Sequence, residues 1–339
     1  MSLILALPSK GALYDPTMAF LSACGLRVRR DGRGRGYWGS IKEIPGLVVQ
    51  FLRSEEIPFR IEAGDVQMGI SGFDLYDEYC SASRSSHVLI RKLGFGGARL
   101  VVAVPSFWID VESTDDLIDI VAELRERHGR ALRVGTKFHR LTRRYFSELG
   151  IRDYAIVDSR GATEGMPASG TADIIIDLTS SGTTLVENDL KEIRGGTVVE
   201  SEACFIVSSV PDHWTAATLP VLAQLTDHME AGLRSSDRQL IHFTIPSDKA
   251  HALQLLLSRE FGCETPPSHG AEAGDAAGRS TLPTPSSVVC PSSKVYAVVT
   301  HLREAGATGI NIVAPELMFA DEPRTVPAFQ ELLKRSEND

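Results

Sequence analysis

The sequence predicts an α/β fold on three observations. Short apolar runs of strand length, rich in Val and Ile, recur along the chain. Amphipathic stretches of helix length separate them, and the alternation is regular enough to imply largely parallel sheets. Taken in order, strands are expected at 2–7, 48–52, 66–70, 99–104, 132–135, 154–158, 173–177 and 203–208. Helices are expected at 13–24, 55–63, 115–128, 137–149 and 214–235, with a short hairpin over 37–48. A new unit begins after 235: strand Leu240–Pro246, helix Ser247–Glu260 capped by Ser247, then strand Ser286–Cys290. Helix Ser292–Ala305, ended by Gly306, and strand Gly309–Val313 complete it. Residues 265–287, rich in Ala, Gly, Pro and Ser, read as a flexible insertion, and the tail after Phe319 as an extra segment with a short helix over Val326–Arg335.

Composition narrows the function classes. At 339 residues, 43% hydrophobic and 23% charged, the chain has the make-up of a soluble globular protein of two or three domains. No run approaches the roughly 20 apolar residues of a membrane span. No basic-then-apolar leader opens the chain, so a cytoplasmic protein is expected rather than a secreted solute-binding one. Cys24, Cys80, Cys204, Cys263 and Cys290 are odd in number, scattered and free of C-x-x-C spacing, which supports neither a disulfide framework nor a zinc site. The nine histidines show no ligand spacing for a protein-built transition-metal site. A net charge of −9 argues against a nucleic-acid surface. Positive charge is concentrated in Arg27-Val28-Arg29-Arg30-Asp31-Gly32-Arg33-Gly34-Arg35-Gly36, which reads as either a solvated loop or a polyphosphate-facing one.

The most informative stretch is Glu164 to Leu185, EGMPASGTADIIIDLTSSGTTL. The run Ile174-Ile175-Ile176, bracketed by Asp173 and Asp177, reads as a buried strand. It leads into Thr179, Ser180, Ser181, Gly182, Thr183 and Thr184, with a helix expected over Leu185–Leu190. Such a loop wraps an anion with backbone N–H groups and hydroxyls, aided by the helix N-terminus. A carboxylate at the strand end suits sugar hydroxyls, so the pattern points to a sugar phosphate. The plainer alternative is a strand–turn–helix whose Ser and Thr residues merely cap the helix.

The whole segment resembles the signature of the ATP phosphoribosyltransferase family through Glu164, Gly170, Ala172, Ile175, Asp177, Leu178, Ser181, Gly182, Thr184 and Leu185. Four further blocks resemble the same family in the same order: Leu5 to Leu13, Phe51 to Pro58, Asp65 to Leu75 and Phe95 to Leu100. The resemblance covers most of residues 3–235. It implies a two-lobed catalytic core like type II periplasmic binding proteins, with 1–103 and 197–235 in one lobe and 104–196 in the other. It also implies a C-terminal ferredoxin-like (ACT/PII-like) α+β domain over 240–339, as in the family's long form, which binds histidine and tightens a hexamer. The irregular insertion departs from that pattern, and no histidine-binding residues are assigned.

The chemistry so implied is magnesium-dependent transfer of a phosphoribosyl group from phosphoribosyl pyrophosphate to N1 of ATP. This is the first step of histidine biosynthesis, with histidine as inhibitor and a homo-oligomer, dimer to hexamer, as the working form. Ser180, Ser181, Gly182, Thr183, Thr184 and Leu185 would hold the 5-phosphate; Glu164 and Asp177 would accept from ribose hydroxyls, and Asp173 would join them or serve the fold. Lys10, Gly11, Arg35, Arg53, Asp74 and Leu75 would face ATP, while Thr136 and Lys137 could reach pyrophosphate. Magnesium would sit mainly on substrate phosphates, and no nucleophile–base pair is expected. The same scaffold could serve a small-molecule sensor, but a sensor has no need of a phosphate cradle joined to diol acceptors. A third reading keeps the enzyme and leaves 240–339 to assembly alone.

Overall fold

The computed structural model describes residues 3–32, 36–80, 85–159, 161–265 and 283–336. It divides into two compact units: Met1–Phe20, Arg27–Ala223 and Arg324–Asp339 form one, Leu21–Leu26 and Gln224–Pro323 the other. Among the described residues no helix is long and apolar enough to cross a membrane.

The first unit contains two sheets. Strands β1 (Leu3–Pro8), β2 (Val28–Arg30), β3 (Trp38–Ile41), β4 (Leu47–Leu52), β5 (Met68–Gly72) and β6 (Ser86–Ile90) belong to one of them. Strands β7 (Ala98–Pro105), β8 (Leu132–Thr136), β9 (Tyr154–Asp158), β10 (Ile174–Thr179) and β11 (Leu190–Ser201) form the other, and β12 (Ala203–Ser208) returns to the first. The orders are β2-β3-β4-β1-β5-β12-β6 and β11-β7-β10-β8-β9. Strand β1 runs parallel to β4 and β5, and β8 parallel to β9 and β10. The other pairings are antiparallel. The sheets are thus mixed rather than largely parallel, because the β2-β3-β4 meander, which contains the expected hairpin, and the return strands each add antiparallel edges.

Two lobes with two crossings give the arrangement of type II periplasmic binding proteins. The crossings lie between β6 and β7 and at Glu202, between β11 and β12. The lobe boundaries read from sequence, 103/104 and 196/197, therefore fall inside β7 and β11. Those strands pair with each other along most of their length and so belong wholly to the second sheet.

Burial on both faces explains the unbroken apolar run of β10. Ile174 and Ile176 join a core with Leu100, Val102 and Phe146, while Ile175 joins Val101, Ala103, Met166 and Leu185 on the opposite face. Helices α1 (Tyr14–Ala23), α2 (Glu56–Glu62), α3 (Phe73–Tyr79), α4 (Thr114–His128), α5 (His139–Glu148), α6 (Thr183–Glu187) and α7 (Leu219–Ser235) follow in chain order. Helix α6 is shorter than the Leu185–Leu190 helix expected. Asp189 adopts a left-handed φ of 54°, and Leu190 already starts β11.

The second unit has strands β13 (Arg238–Pro246), β14 (Pro283–Pro291) and β15 (Thr308–Val313) with helices α8 (Ser247–Phe261) and α9 (Val295–Glu304). The order is β14-β13-β15, antiparallel throughout. A single antiparallel bridge, Glu264 to Val289, occupies the outer side of β14. With that bridge counted as a vestigial second strand, the topology is ferredoxin-like. Its core joins Ile241, Phe243 and Ile245 to Leu253, Leu257, Val298 and Leu302. Ser247 does not cap α8; its hydroxyl lies 2.6 Å from that of Thr284. The expected insertion at 265–287 is too long, since β14 begins at Pro283 opposite Pro246; residues 266–282 lie outside the described ones. The last helix, α10 (Thr325–Ser336), groups with the first unit. Its Phe329 is fully buried, with its ring edge-on to Trp214 and His87.

Candidate active site

Strand β10 delivers one wall of a cleft of about 610 Å³ in the first unit. Its last residues, Leu178 and Thr179, line the cleft with Ser180. Beyond them Gly182 turns with φ of 78°, a conformation that costs a side-chain-bearing residue roughly 1–2 kcal/mol. The turn is held from within: the Gly182 N–H donates to Thr179 Oγ1 at 2.8 Å, and the Ser181 and Thr183 hydroxyls lie 2.9 Å apart. Ser180, Ser181, Thr183 and Thr184 are exposed, whereas Leu185 is buried in the core and can offer only its backbone N–H. With five residues, α6 contributes little macrodipole, so hydroxyls and local N–H groups would do most of any anion binding.

Asp177, two residues before Thr179 on β10, feels the charge of Glu164. Glu164 lies in a single 3-10 turn, Thr163–Gly165, packed on β10. Burial pushes the Asp177 carboxyl above its ordinary range. The Leu178 N–H, at 2.8 Å, the Lys137 charge and the Thr163 hydroxyl pull it back, and the nearby Glu164 charge adds to the rise.

The facing wall starts at Gly72, where β5 meets α3. A Cβ on Gly72 would collide with the Asp74 carboxylate, so only glycine lets that carboxylate fold back over the helix start. Asp74 is 5% exposed, accepts from the Ser201 hydroxyl, and donates its own N–H to Ser201 Oγ at 3.0 Å. Burial raises its carboxyl as well, against the pull of Ser201 and Lys137. Leu75 lines the cleft while packing into the core of the second lobe. Lys137, on the loop between β8 and α5, lines the cleft and acts electrostatically on both Asp74 and Asp177; its Nζ is 3.6 Å from Glu55.

The other expected residues divide. Lys10 and Gly11 are exposed on the β1–α1 loop, whose next residues, Ala12 and Leu13, line the cleft. Arg53 is exposed immediately before the lining residues Ser54 and Glu55. Arg35 lies outside the described residues. Of the rest of its basic run, Arg27 pairs with Glu43 at 3.0 Å, and Arg30 stacks 4.0 Å over the Phe51 ring. Asp173 is not brought to the loop. It sits at the opposite end of β10, roughly 20 Å from Thr179 at about 3.3 Å per residue, gripped by Arg130 and Arg133 at 2.6 and 2.8 Å. Glu55 and Gly72 lie in two of the family-like blocks but are assigned no role there, and Ser201 carries no sequence signal; the packed fold brings Glu55 and Gly72 to the cleft and Ser201 to Asp74. Among the described residues no three His, Cys, Asp or Glu side chains converge as a metal site.

Comparison with known proteins bears on what the cleft does. The family profile of ATP phosphoribosyltransferase matches residues 53–230. An ATP phosphoribosyltransferase of Rhodopseudomonas palustris (strain BisB18) is 36% identical over 332 residues, covering 97% of each chain. One from Agrobacterium fabrum is 44% identical over 220 residues, which are 65% of this chain and 96% of that protein. Among solved structures, a chain of the ATP phosphoribosyl transferase complex of Thermotoga maritima is 22% identical and covers 67% of this chain and 98% of its own length. Its TM-score of 0.49 is too low to bear on the fold.

Proposed function

The chain belongs to the ATP phosphoribosyltransferase family, and from that premise we propose that it joins phosphoribosyl pyrophosphate to N1 of ATP in the first step of histidine biosynthesis. The observation that carries this reading is an exposed hydroxyl-rich loop directly after the strand that bears Asp177, a carboxyl that in turn feels the charge of Glu164. A ribose phosphate needs that combination: donors for the phosphate and acceptors for the diol. Asp173 is left to the fold.

In the reaction the adenine N1 lone pair attacks the anomeric carbon as the carbon–oxygen bond to pyrophosphate breaks. Pyrophosphate leaves with the electron pair, and positive charge develops on the sugar ring. No protein nucleophile is required. The chain's contribution is to align the two substrates and to offset charge where it develops. Asp177 and Glu164 hold the ribose hydroxyls and lie near the developing cation. Lys137 meets departing phosphate oxygens, with Lys10 and Arg53 as further cations at the rim. Asp74 and Leu75 hold the nucleoside of ATP from the facing wall.

Magnesium fits this donor set. Two carboxylates at the sugar end suit a hard cation that keeps most of its shell in phosphate oxygen and water. When bound, it would neutralise pyrophosphate charge. The ferredoxin-like unit is read as the seat of histidine inhibition and of homo-oligomer assembly, in a cytoplasmic enzyme.

Mass spectrometry of a reaction with ATP, phosphoribosyl pyrophosphate and magnesium tests the reading. It predicts a product heavier than ATP by one phosphoribosyl group, formed more slowly when histidine is added. Product that forms at the same rate with histidine would leave the C-terminal unit with assembly alone. A mixture holding only the two substrates would reject the enzyme.

A further inference from the structure

We propose that Asp77 and Glu78 are positioning residues that clamp α3 to the start of α5 and thereby set the width of the cleft. Helix α5 lacks a cap of its own. Its N-cap residue, Phe138, makes no side-chain cap bond, and its first turn carries no acidic residue. The first N–H groups of a helix need acceptors, and here they are found more than sixty residues away in sequence. One Glu78 oxygen accepts from the Arg140 N–H at 2.8 Å, and the other from the Leu141 N–H at 2.9 Å. The Arg140 side chain returns to the Glu78 carbonyl at 2.9 Å.

Asp77 completes the grip. It accepts from Arg140 at 2.9 Å and from both terminal nitrogens of Arg144 at 3.1 and 2.8 Å. Both carboxylates are about 95% buried, and among the described residues Arg140 and Arg144 both pair with Asp77. Buried, charge-assisted bonds of this kind hold geometry more tightly than surface pairs.

Position makes the clamp functional. The first turn of α3 carries Asp74 and Leu75, and the loop entering α5 carries Lys137; all three line the cleft. The helix also packs both ways, with Leu75 in the core of the second lobe and Tyr76 and Cys80 in that of the first. Fixing α3 against α5 therefore fixes Asp74 relative to Lys137. The phosphate loop, on β10, is not part of the grip. Loosening the clamp should then disturb the nucleotide side of the site more than the sugar-phosphate side, an asymmetry that rests on the reading given under Proposed function.

The test uses the full chain with Glu78→Gln and Asp77→Asn, and Arg144→Lys as a milder variant that keeps charge but loses the two-pronged contact. Hydrogen exchange at the Arg140 and Leu141 amides should quicken roughly tenfold or more in Glu78→Gln, with no change at Ile241 or Phe243. In Glu78→Gln and Asp77→Asn KM for ATP should rise by roughly tenfold, clearly more than KM for phosphoribosyl pyrophosphate, which shares Lys137 but keeps the phosphate loop; Arg144→Lys should show the same asymmetry at smaller size. Exchange is read without substrate, so its result stands whether or not the protein proves to be the enzyme proposed. Unaltered exchange, or KM values that move together or not at all, would overturn the clamp.

Discussion

Asp173 offers the sharpest separation of fold from function, and replacing it with Asn is the perturbation to make. Burial alone would push its carboxyl up, but hydrogen bonds from Arg133 and Arg130 outweigh that and hold it down at about 2, against an ordinary 3.8. A carboxyl depressed in the folded state stabilises above its unfolded pKa, and the contribution fades as pH falls from about 4 towards 2. A carboxyl held that far below its ordinary range contributes about 2 kcal/mol at neutral pH. The side chain is only 8% exposed, so solvent screening removes little of that. Arg130 and Arg133 are near 40% exposed and can rehydrate once the partner is gone, so no larger penalty is expected. In a domain of this size the loss lowers Tm by roughly 4–8 °C at pH 7. The gap between the two proteins should shrink below pH 4. Thermal unfolding across pH, paired with KM for both substrates, is the assay. Lower stability with unchanged KM agrees with a structural ion pair. A raised KM for phosphoribosyl pyrophosphate at unchanged Tm would rule out a purely structural ion pair and return Asp173 to the sugar site.

Two further outcomes are expected. Gly72→Ala should raise KM for ATP or abolish turnover, since its Cβ displaces the Asp74 carboxylate from Ser201; steady-state kinetics at full activity would contradict this. All five cysteines are buried and free. Burial pushes the Cys24, Cys80 and Cys263 thiols up to about 12 and raises those of Cys204 and Cys290. A thiol near 12 is ionised on the order of one part in 10⁴ or less at pH 7.5. Iodoacetamide should therefore label the native protein far more slowly than the urea-unfolded one, and comparable rates would contradict the burial.

What was legible in the sequence was local. The Ile174-Ile175-Ile176 strand, the loop after it and the Glu164–Asp177 pair lie within 25 residues, and each carries its own composition signal. Most strands and long helices were equally plain, including α4, whose Ser113 and Asp116 form a capping box. Helix α3 escaped because seven residues packed between two cores show no single apolar face. Strand β11 was hidden by Gly195 and Gly196 at its bulge. Asp173 and Asp177 are four residues apart on one strand face, and only the ion pairs with Arg130 and Arg133 distinguish the end that holds the fold from the end that meets the cleft. Ser201 under Asp74 and Glu78 under α5 are contacts across 127 and 63 residues. No spacing rule reaches that far.

Pyrophosphate release by the purified chain, with ATP, phosphoribosyl pyrophosphate and magnesium supplied together and then each withheld, decides whether the cleft transfers a phosphoribosyl group. Release is expected only when both substrates are present, with near-complete loss in Asp177→Asn with Glu164→Gln at unchanged Tm. Release that persists in that double variant, or that needs no ATP, would contradict the assignment of these carboxylates to the transferred sugar.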